Sequence, residues 1–393
     1  MYTKLAFLSL LRRPLRHGVL FFLIAFASSL PVFILQLTGG LYNGINHAVE
    51  PFPILAGAKG SAYQLVLNTV FLKDKPIGNI PYAKVEELRQ TGKAAAVYPL
   101  AFGDNYRGFR IVGIEEEIFS YQPKKNLPPW LSLKEGRSFQ EEGDVVIGSE
   151  TARLTGLALG DTFKSVHGVA GKGHEHEHPC RVTGILSPAG GPYDSAILTD
   201  IQDVWRTHGH NPLIYGKGDV TAILVSPAGY KEAMELLATY QRNRDMQMVF
   251  PSQSVISLYS MVGQSREFWQ SIILALLAIS ILVTLLIMYW SGMNRMQEFA
   301  LLRALGADRK HITGMLLREE ALLLFFAASA GWCLAYGATL LTAGIIMHHS
   351  SIVMTTAPEP KGLLVIPLMT LIGTAAGIIP AGMIRSRDIS RYL

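Results

Sequence analysis

Four stretches of this chain are apolar for long enough to cross a bilayer, which takes about 20 consecutive apolar residues per helix. Every other reading must be fitted around them. The first runs from Gly18 to Leu41, "GVLFFLIAFASSLPVFILQLTGGL". The second, Trp269 to Trp290, has a tryptophan at each end, as expected of residues anchored in the two interfacial belts. The third spans Ala321 to Met347 and is rich in Ala and Gly; the fourth spans Leu363 to Met383. None contains Lys, Arg, Asp or Glu, which argues against an ion pathway or proton relay through them. Their clustering accounts for the 49% hydrophobic content of the 393 residues and the mean hydropathy of +0.27. Ala25-Phe26-Ala27 imitates a signal-peptidase site behind a basic start, but the apolar run continues through Leu37, so a retained anchor is expected.

Basic residues beside the spans set the orientation. Lys4, Arg12, Arg13 and Arg16 precede the first span, and Arg295, Arg303, Arg309, Lys310 and Arg318 lie between the second and third. Arg385, Arg387 and Arg391 follow the fourth, whereas the loop between the third and fourth holds only Lys361. Both termini and the middle loop are therefore expected to be cytoplasmic, with residues 42–268 outside. The net charge of +5 mostly records this asymmetry and gives no reason to expect a nucleic-acid partner.

Residues 42–268 are enough for an independent domain, and their pattern is mixed α+β. "SAYQLVLNTVF" and "RIVGIEE" read as strands; "YAKVEELRQT" and "GYKEAMELLATYQRNRD" carry apolar residues at helical spacing. From "GDVVIG" to "SAILTD" the expected order is strand, short helix, strand, hairpin, strand, turn, strand. The stretch "SQSVISLYSMVGQSREFW" reads as a helical stalk running into the second span.

The tip of the expected hairpin reads "GKGHEHEHPC", residues 171–180. His174, Glu175 and His178 spell the H-E-x-x-H of zinc peptidases, which is chemically meaningful only on a helix, where both imidazoles share a face and the Glu serves as base. Gly168, Gly171, Gly173 and Pro179 oppose a helix here. In an extended chain of period two, His174, His176, His178 and by parity Cys180 point to one side and the glutamates to the other. That arrangement is a candidate metal site, suited to zinc, copper or nickel, with no catalytic base. His167, His208 and His210 are further candidates that the fold can bring near. A membrane-anchored zinc peptidase and a metal-sensing receptor stand as alternative functions.

The most informative stretch on the cytoplasmic side is "MNRMQEFALLRALGADRKHITGMLLREEALLL", from Met293. Phe299, Ala300, Leu302 and Leu305 form an apolar face, Gly306 is placed as a helix stop, and Asp308 as the N-cap of a helix leading into the third span. Such an apolar, basic helix is either a docking element or a connector lying on lipid.

"MQEFALLRALGADRKHI" resembles the coupling segment of ABC transporter permeases of the MacB/FtsX/LolC-LolE type, with Glu298, Leu301, Leu302, Arg303, Leu305 and Gly306 at the matching places. The resemblance covers the whole chain. "LAFLSLLRRPLRHGVL" resembles the family's basic amphipathic lead-in helix. "LKEGRSFQEEGDVVIGSETARLTGLALGDTF" with "VTGILSPAGGPYDSAIL" resembles its periplasmic core domain, and "GIIPAGMIRSRDISRYL" resembles its terminal signature. That signature departs from the usual form at Ile389 and Tyr392. The match is interrupted between "TFKSVHG" and "CRVTGIL", so the histidine tract looks like an insertion.

The resemblance implies a membrane α-helical fold with four transmembrane helices and a large α+β extracytoplasmic domain inserted between helices 1 and 2. The expected layout places an amphipathic lead-in at 1–17, spans at 18–41, 269–290, 321–347 and 363–383, and the periplasmic domain with its stalk at 42–268. The coupling segment is 291–320, a short outer loop 348–362, and a cytoplasmic tail 384–393. It further implies a non-catalytic permease subunit of a bacterial inner membrane that dimerises and recruits cytoplasmic ABC ATPase subunits through Glu298, Phe299, Leu301, Leu302, Arg303, Leu305 and Gly306. ATP and Mg belong to that partner, since no G-x-x-x-x-G-K-[ST] occurs here. Membrane lipid and a periplasmic or outer-membrane protein complete the expected partners. The work performed would be mechanotransmission, the conversion of ATPase closure into motion of the outer domain. A zinc ion at the His-rich loop is the one cofactor the chain itself offers.

Overall fold

The computed structural model describes residues 14–124, 126–168, 174–261, 266–350 and 354–379. The chain divides into two compact units. One takes the residues up to Leu41, Gln264–Ile345 and those from Thr355 onward; the other takes Tyr42–Gly263 with Ile346–Met354.

Among the described residues three helices are long and apolar enough to cross a membrane: Pro14–Val49, Arg266–Met293 and Arg309–Ser350. The first expected span falls wholly within a helix that continues to Val49. The segment after Asp308 and the third span form one uninterrupted helix, because no residue between them breaks it. Of the expected fourth span, the described part is a shorter apolar helix, Pro360–Ala376. Residues 1–13 of the lead-in, the tail and all of the terminal signature after residue 379 lie outside the described residues, as do residues 262–265, over which the stalk is expected to be continuous. The helices Pro251–Met261 and Arg266–Met293 lie on either side of those four residues.

Small residues let these helices approach. A Cβ at Gly331 would overlap Ser28 Oγ and the Ala25 carbonyl of the first helix. Such close backbone approach is the usual source of helix association in lipid, where apolar burial alone gives little drive. Leu20 and Ile24 pack with Met288, Leu324, Ala327 and Ala376. Ser280 Oγ donates to the Ala27 carbonyl at 2.6 Å, joining the first two long helices.

The short helix Met296–Ala304 follows the second long helix. Met296 and Phe299 are buried against Ile312 and Leu316 of the helix that follows. Gly306 ends the turn as the sequence predicts. It sits at φ +93°, its N–H bonds the Arg303 carbonyl at 3.0 Å, and the Ala307 N–H reaches back to the Leu302 carbonyl at 3.0 Å. This is a Schellman arrangement, in which glycine takes the left-handed position without a Cβ penalty. Nothing would touch a Cβ there, so Gly306→Ala tests backbone strain alone. The expected loss is about 1 kcal/mol, read as roughly fivefold faster hydrogen exchange at the Ala307 amide.

Among the described residues the second unit holds twelve strands. In chain order these are β1 (Ile54–Ala58), β2 (Ile80–Pro81), β3 (Ala94–Tyr106), β4 (Phe109–Ile114), β5 (Leu133–Gly136) and β6 (Asp144–Ile147), followed by β7 (Thr162–His167), β8 (Glu175–Leu186), β9 (Ala196–Asp200), β10 (Asp219–Val220), β11 (Ala222–Pro227) and β12 (Met246–Val249). Ten of them form one sheet in the order β12-β1-β11-β3-β4-β9-β6-β8-β5, with β7 paired to both β3 and β8; β10 and β2 pair separately. The β4–β9 and β6–β8 pairs are parallel, and the other pairings of the large sheet are antiparallel.

Apolar residues fill both faces of this sheet. Leu55, Leu100, Val112, Leu198 and Leu224 belong to one cluster with Phe52 and Tyr193. Ile54, Ala56, Val97, Ile223 and Val225, the alternating set, belong to another under the helices Ala83–Gln90 and Tyr230–Gln241. The strand–helix–strand–hairpin–strand order expected between residues 143 and 200 is present, including the helix Ser149–Thr155. One expectation fails. "SAYQLVLNTVF" is the helix Ala62–Thr69, not a strand. Ser61 caps it by accepting from the Gln64 N–H, and Leu65, Val66 and Thr69 share its buried side. A short apolar run carries no decisive period, and here the cap decides.

Candidate functional site

The sheet brings four metal-ligating side chains together at one place. Asp104, His167, His176 and His208 each offer a donor atom, all within 4.8 Å of one another. Three ring nitrogens converge on one carboxylate oxygen: His176 Nε2 lies 3.1 Å, His167 Nδ1 3.4 Å and His208 Nε2 3.4 Å from Asp104 Oδ1. His208 Nε2 is also 3.2 Å from His167 Nδ1.

Local chain geometry builds this arrangement. Between its pairings Phe102–Val112 and Asn105–Arg110, β3 holds Gly103 and Asp104 opposite the single residue Ile111, a β-bulge. Bulges redirect side chains beside functional sites. Beyond the bulge β3 keeps its pairing with β4, and on its other edge, past the end of the β11 pairing at Leu100, it takes up β7, with Asp104 opposite His167. The Asn105 amide holds that edge by donating to the carbonyls of Val166 (3.3 Å) and Gly168 (2.7 Å). His208 arrives from elsewhere. It caps the C-terminal end of the helix Ile201–Thr207, whose Ile201 and Val204 sit so close over Gly113 of β4 that a Cβ there would meet both. Gly103 leaves room for the His208 ring, since a Cβ at 103 would lie 2.7 Å from its Cε1.

The hydrogen bonds fix which nitrogen faces the site. His208 Nδ1 lies 2.7 Å from the Val204 carbonyl, which can only accept, so Nδ1 carries a proton and Nε2 is the atom aimed inward. A carbonyl partner of this kind orients metal-ligating imidazoles. Burial alone would push the Asp104 carboxyl up, but His208 and His176 outweigh it and hold it below its usual range. Asp104 in turn raises the His208 pKa, against burial, with the Val204 carbonyl contributing. The cluster is graded in exposure, from Asp104 at 5% through His176 at 20% and His208 at 31% to His167 at 57%.

Of the residues singled out at the hairpin, His176 enters the cluster. His174 and His178 are exposed and stand outside it. Strict alternation does not hold along this part of β8. Val166 pairs with Glu175 and Lys164 with Pro179, so His176, Glu177 and His178 lie opposite the single residue Ser165. Cys180 is half-buried, and burial, with the charges of Asp104 and Asp203 added, pushes its thiol up to about 11. It is not among the four residues whose donor atoms meet. His210 bonds the Gly216 carbonyl at 2.9 Å. The H-E-x-x-H spelling falls on and beside strand β8, so its histidines do not share a helical face. Asp104 was missed; its signal was Gly103 interrupting an otherwise strand-like run, the mark of a bulge.

In the segment expected to couple to an ATPase, Phe299 and Ala300, read in the sequence as part of one apolar face open to a partner or lipid, are buried. Leu302 and Leu305, expected on the same face, are instead exposed with Leu301, at 39%, 77% and 55%. The reason is that the next helix covers only the side carrying Met296 and Phe299. Glu298 pairs with Arg295 at 3.4 Å, and Arg295 also reaches Glu319 at 2.8 Å.

Among the described residues, three helices long and apolar enough to cross a membrane, with a separately cored α+β unit between the first and second, make up the architecture. The MacB-like periplasmic core domain matches residues 21–240 and the FtsX-like permease C-terminal domain matches residues 271–389. The chain belongs to this ABC transporter permease family, whose members are permease subunits. No curated protein matches it. Among solved structures it is similar to the periplasmic region of MacB from Actinobacillus actinomycetemcomitans, with 15% identity over 53% of this chain and 95% of that one and a TM-score of 0.35. It is also similar to the extracellular domain of the noncanonic ABC-type transporter YknZ from Gram-positive bacteria, with 14% identity over 50% of this chain and 98% of that one and a TM-score of 0.30.

Proposed function

We propose that the chain is the transmembrane subunit of an ABC transporter complex that works by mechanotransmission, with cytoplasmic ATPase subunits docking on the segment from Glu298 to Gly306. The observation that carries this reading is the division of labour between the residues of Met296–Ala304 and its C-cap Leu305. Met296 and Phe299 fasten it to the following helix, while Leu301, Leu302 and Leu305 are left exposed beside Arg303. A short helix fixed on one side and apolar on the other transmits displacement to the long helix it is packed on. ATP binding in the partner biases one of two arrangements, and the rigid helices carry that bias. The basic residues flanking the spans support cytoplasmic termini and a periplasmic outer domain in an inner membrane, with four spans in all. Two permease chains, identical or related, would complete the assembly, with a periplasmic or outer-membrane protein as a further partner.

The test is co-purification of the ATPase subunit with the full-length chain from membranes. Leu302→Asp places a charge on an exposed surface without disturbing the buried face, and at least a tenfold loss of captured ATPase is expected. Glu298→Lys should act in the same direction, although it also sets two cations against each other at Arg295. Undiminished capture by both variants would remove the coupling assignment.

A further inference from the structure

We propose that Asp104, His167, His176 and His208 form a tetrahedral binding site for a divalent transition metal, zinc being the ion that fits best. The site stands independently of the ATPase coupling.

Distance is the first argument. Zinc–nitrogen and zinc–oxygen bonds of about 2.0–2.1 Å put the corners of a tetrahedron about 3.3 Å apart. Four of the donor separations are 3.1, 3.4, 3.4 and 3.2 Å, and the remaining two, from His176 to His167 and to His208, lie within 4.8 Å. Closing around an ion therefore requires only His176 to move toward the other two imidazoles. Donor chemistry is the second. Three imidazoles and one carboxylate make a borderline set that suits zinc, cobalt, nickel or copper and is wrong for calcium or magnesium, which take oxygen ligands. His208 has the inward nitrogen free of its tautomeric proton, because the Val204 carbonyl holds that proton on the other side.

Construction is the third argument. The four ligands come from β3, the end of β7, β8 and a helix terminus, and each is placed by a specific feature: Asp104 by the bulge at Gly103–Asp104, His167 by the Asn105 clamp on β7, His176 by the irregularity of β8 opposite Ser165, and His208 by the missing Cβ at Gly103. A surface cluster of histidines assembled by composition alone has no such supports. All four tetrahedral corners are supplied by the protein, so no position is left for a hydrolytic water, and the site is one of binding, not of peptidase chemistry. The exposed ring of His167 leaves a path for the ion to enter, while the buried Asp104 closes the floor. Bound metal would tie the β7–β8 hairpin to β3 and to the helix Ile201–Thr207, making the order of this part of the periplasmic domain depend on the ion.

Two pairs of substitutions separate this site from the histidine tract read in the sequence, since His176 is common to both. The full-length chain in detergent, stripped with chelator and reloaded with zinc alone, is expected to retain one zinc through gel filtration. His167→Ala with His208→Ala should weaken binding at least 100-fold. His174→Ala with His178→Ala should leave it within about threefold. Asp104→Asn, which keeps the shape, should also weaken binding. On the wild-type chain, cobalt is expected to give the intense visible absorption of a tetrahedral site, a readout that requires no variant to fold. Loss of zinc in the His174/His178 variant with retention in the His167/His208 variant would move the site to the exposed tract. A wild-type chain that retains no zinc, or a cobalt complex with only weak octahedral bands, would overturn it altogether.

Discussion

Asp144→Asn is expected to destabilise the periplasmic unit by about 2–3 kcal/mol at neutral pH and to abolish part of its acid sensitivity. The carboxylate is 1% exposed and fully engaged. Arg137 Nη1 donates to Oδ2 at 2.8 Å, Arg181 Nη2 to Oδ1 at 2.7 Å, and the N–H groups of Gln140 and Glu141 to Oδ2 at 3.2 Å each. Burial pushes the pKa up, but Arg181, the two backbone donors and Arg137 together hold it down to about 2. A group depressed from about 4 to about 2 contributes about 2 kcal/mol. The sign follows directly: the contribution is complete above about pH 4 and disappears as pH falls toward 2. Both arginines are about two-fifths exposed, so water can take them back in the variant, which keeps the loss below that of a wholly buried pair. Denaturation of the full-length chain in detergent at several pH values checks this. Wild type and variant should differ at pH 7 and converge near pH 2, and a constant difference across that range would contradict the assignment.

Gly331→Ala is expected to loosen the membrane unit by roughly 1–3 kcal/mol, the range for overpacking a close contact. The added Cβ would meet Ser28 Oγ and the Ala25 carbonyl, and a backbone carbonyl cannot rotate away. Gly337 and Gly344 lie on the same helix with nothing within 4 Å of a Cβ, so the same substitution there should be neutral or stabilising by up to about 1 kcal/mol through helix propensity. Thermal melts of the three variants in one detergent separate packing from propensity. Equal melting temperatures would mean that the first and third long helices are not held by this contact.

Local patterns carried most of the architecture. The first three spans were legible because their signal is a long uninterrupted apolar run. Gly306 and Asp308 were legible because helix ends have their own residue chemistry, and the helices at Ala83–Gln90 and Tyr230–Gln241 because they repeat at helical spacing. The run at Ala62–Thr69 was misread because eight residues are too few for apolar spacing to separate helix from strand, and the Ser61 cap was overlooked. In the segment Met296–Ala304 the residues were read correctly as apolar, but the division into a fastened side and an exposed side depends on Ile312 and Leu316.

By itself, then, the sequence determined that this chain enters the membrane, carries a mixed α+β domain between its first and second spans, and presents an apolar helix ending at Gly306. Each of these rests on interactions within a few turns or on bulk transfer into lipid, so composition and spacing suffice. Only the tertiary structure decided which histidines meet. A β-bulge at Gly103–Asp104, a second irregularity in β8 and the end of a helix some thirty residues after His176 bring four side chains to one point. No local period encodes that meeting, because strand pairing joins residues whose separation along the chain carries no record of their separation in space.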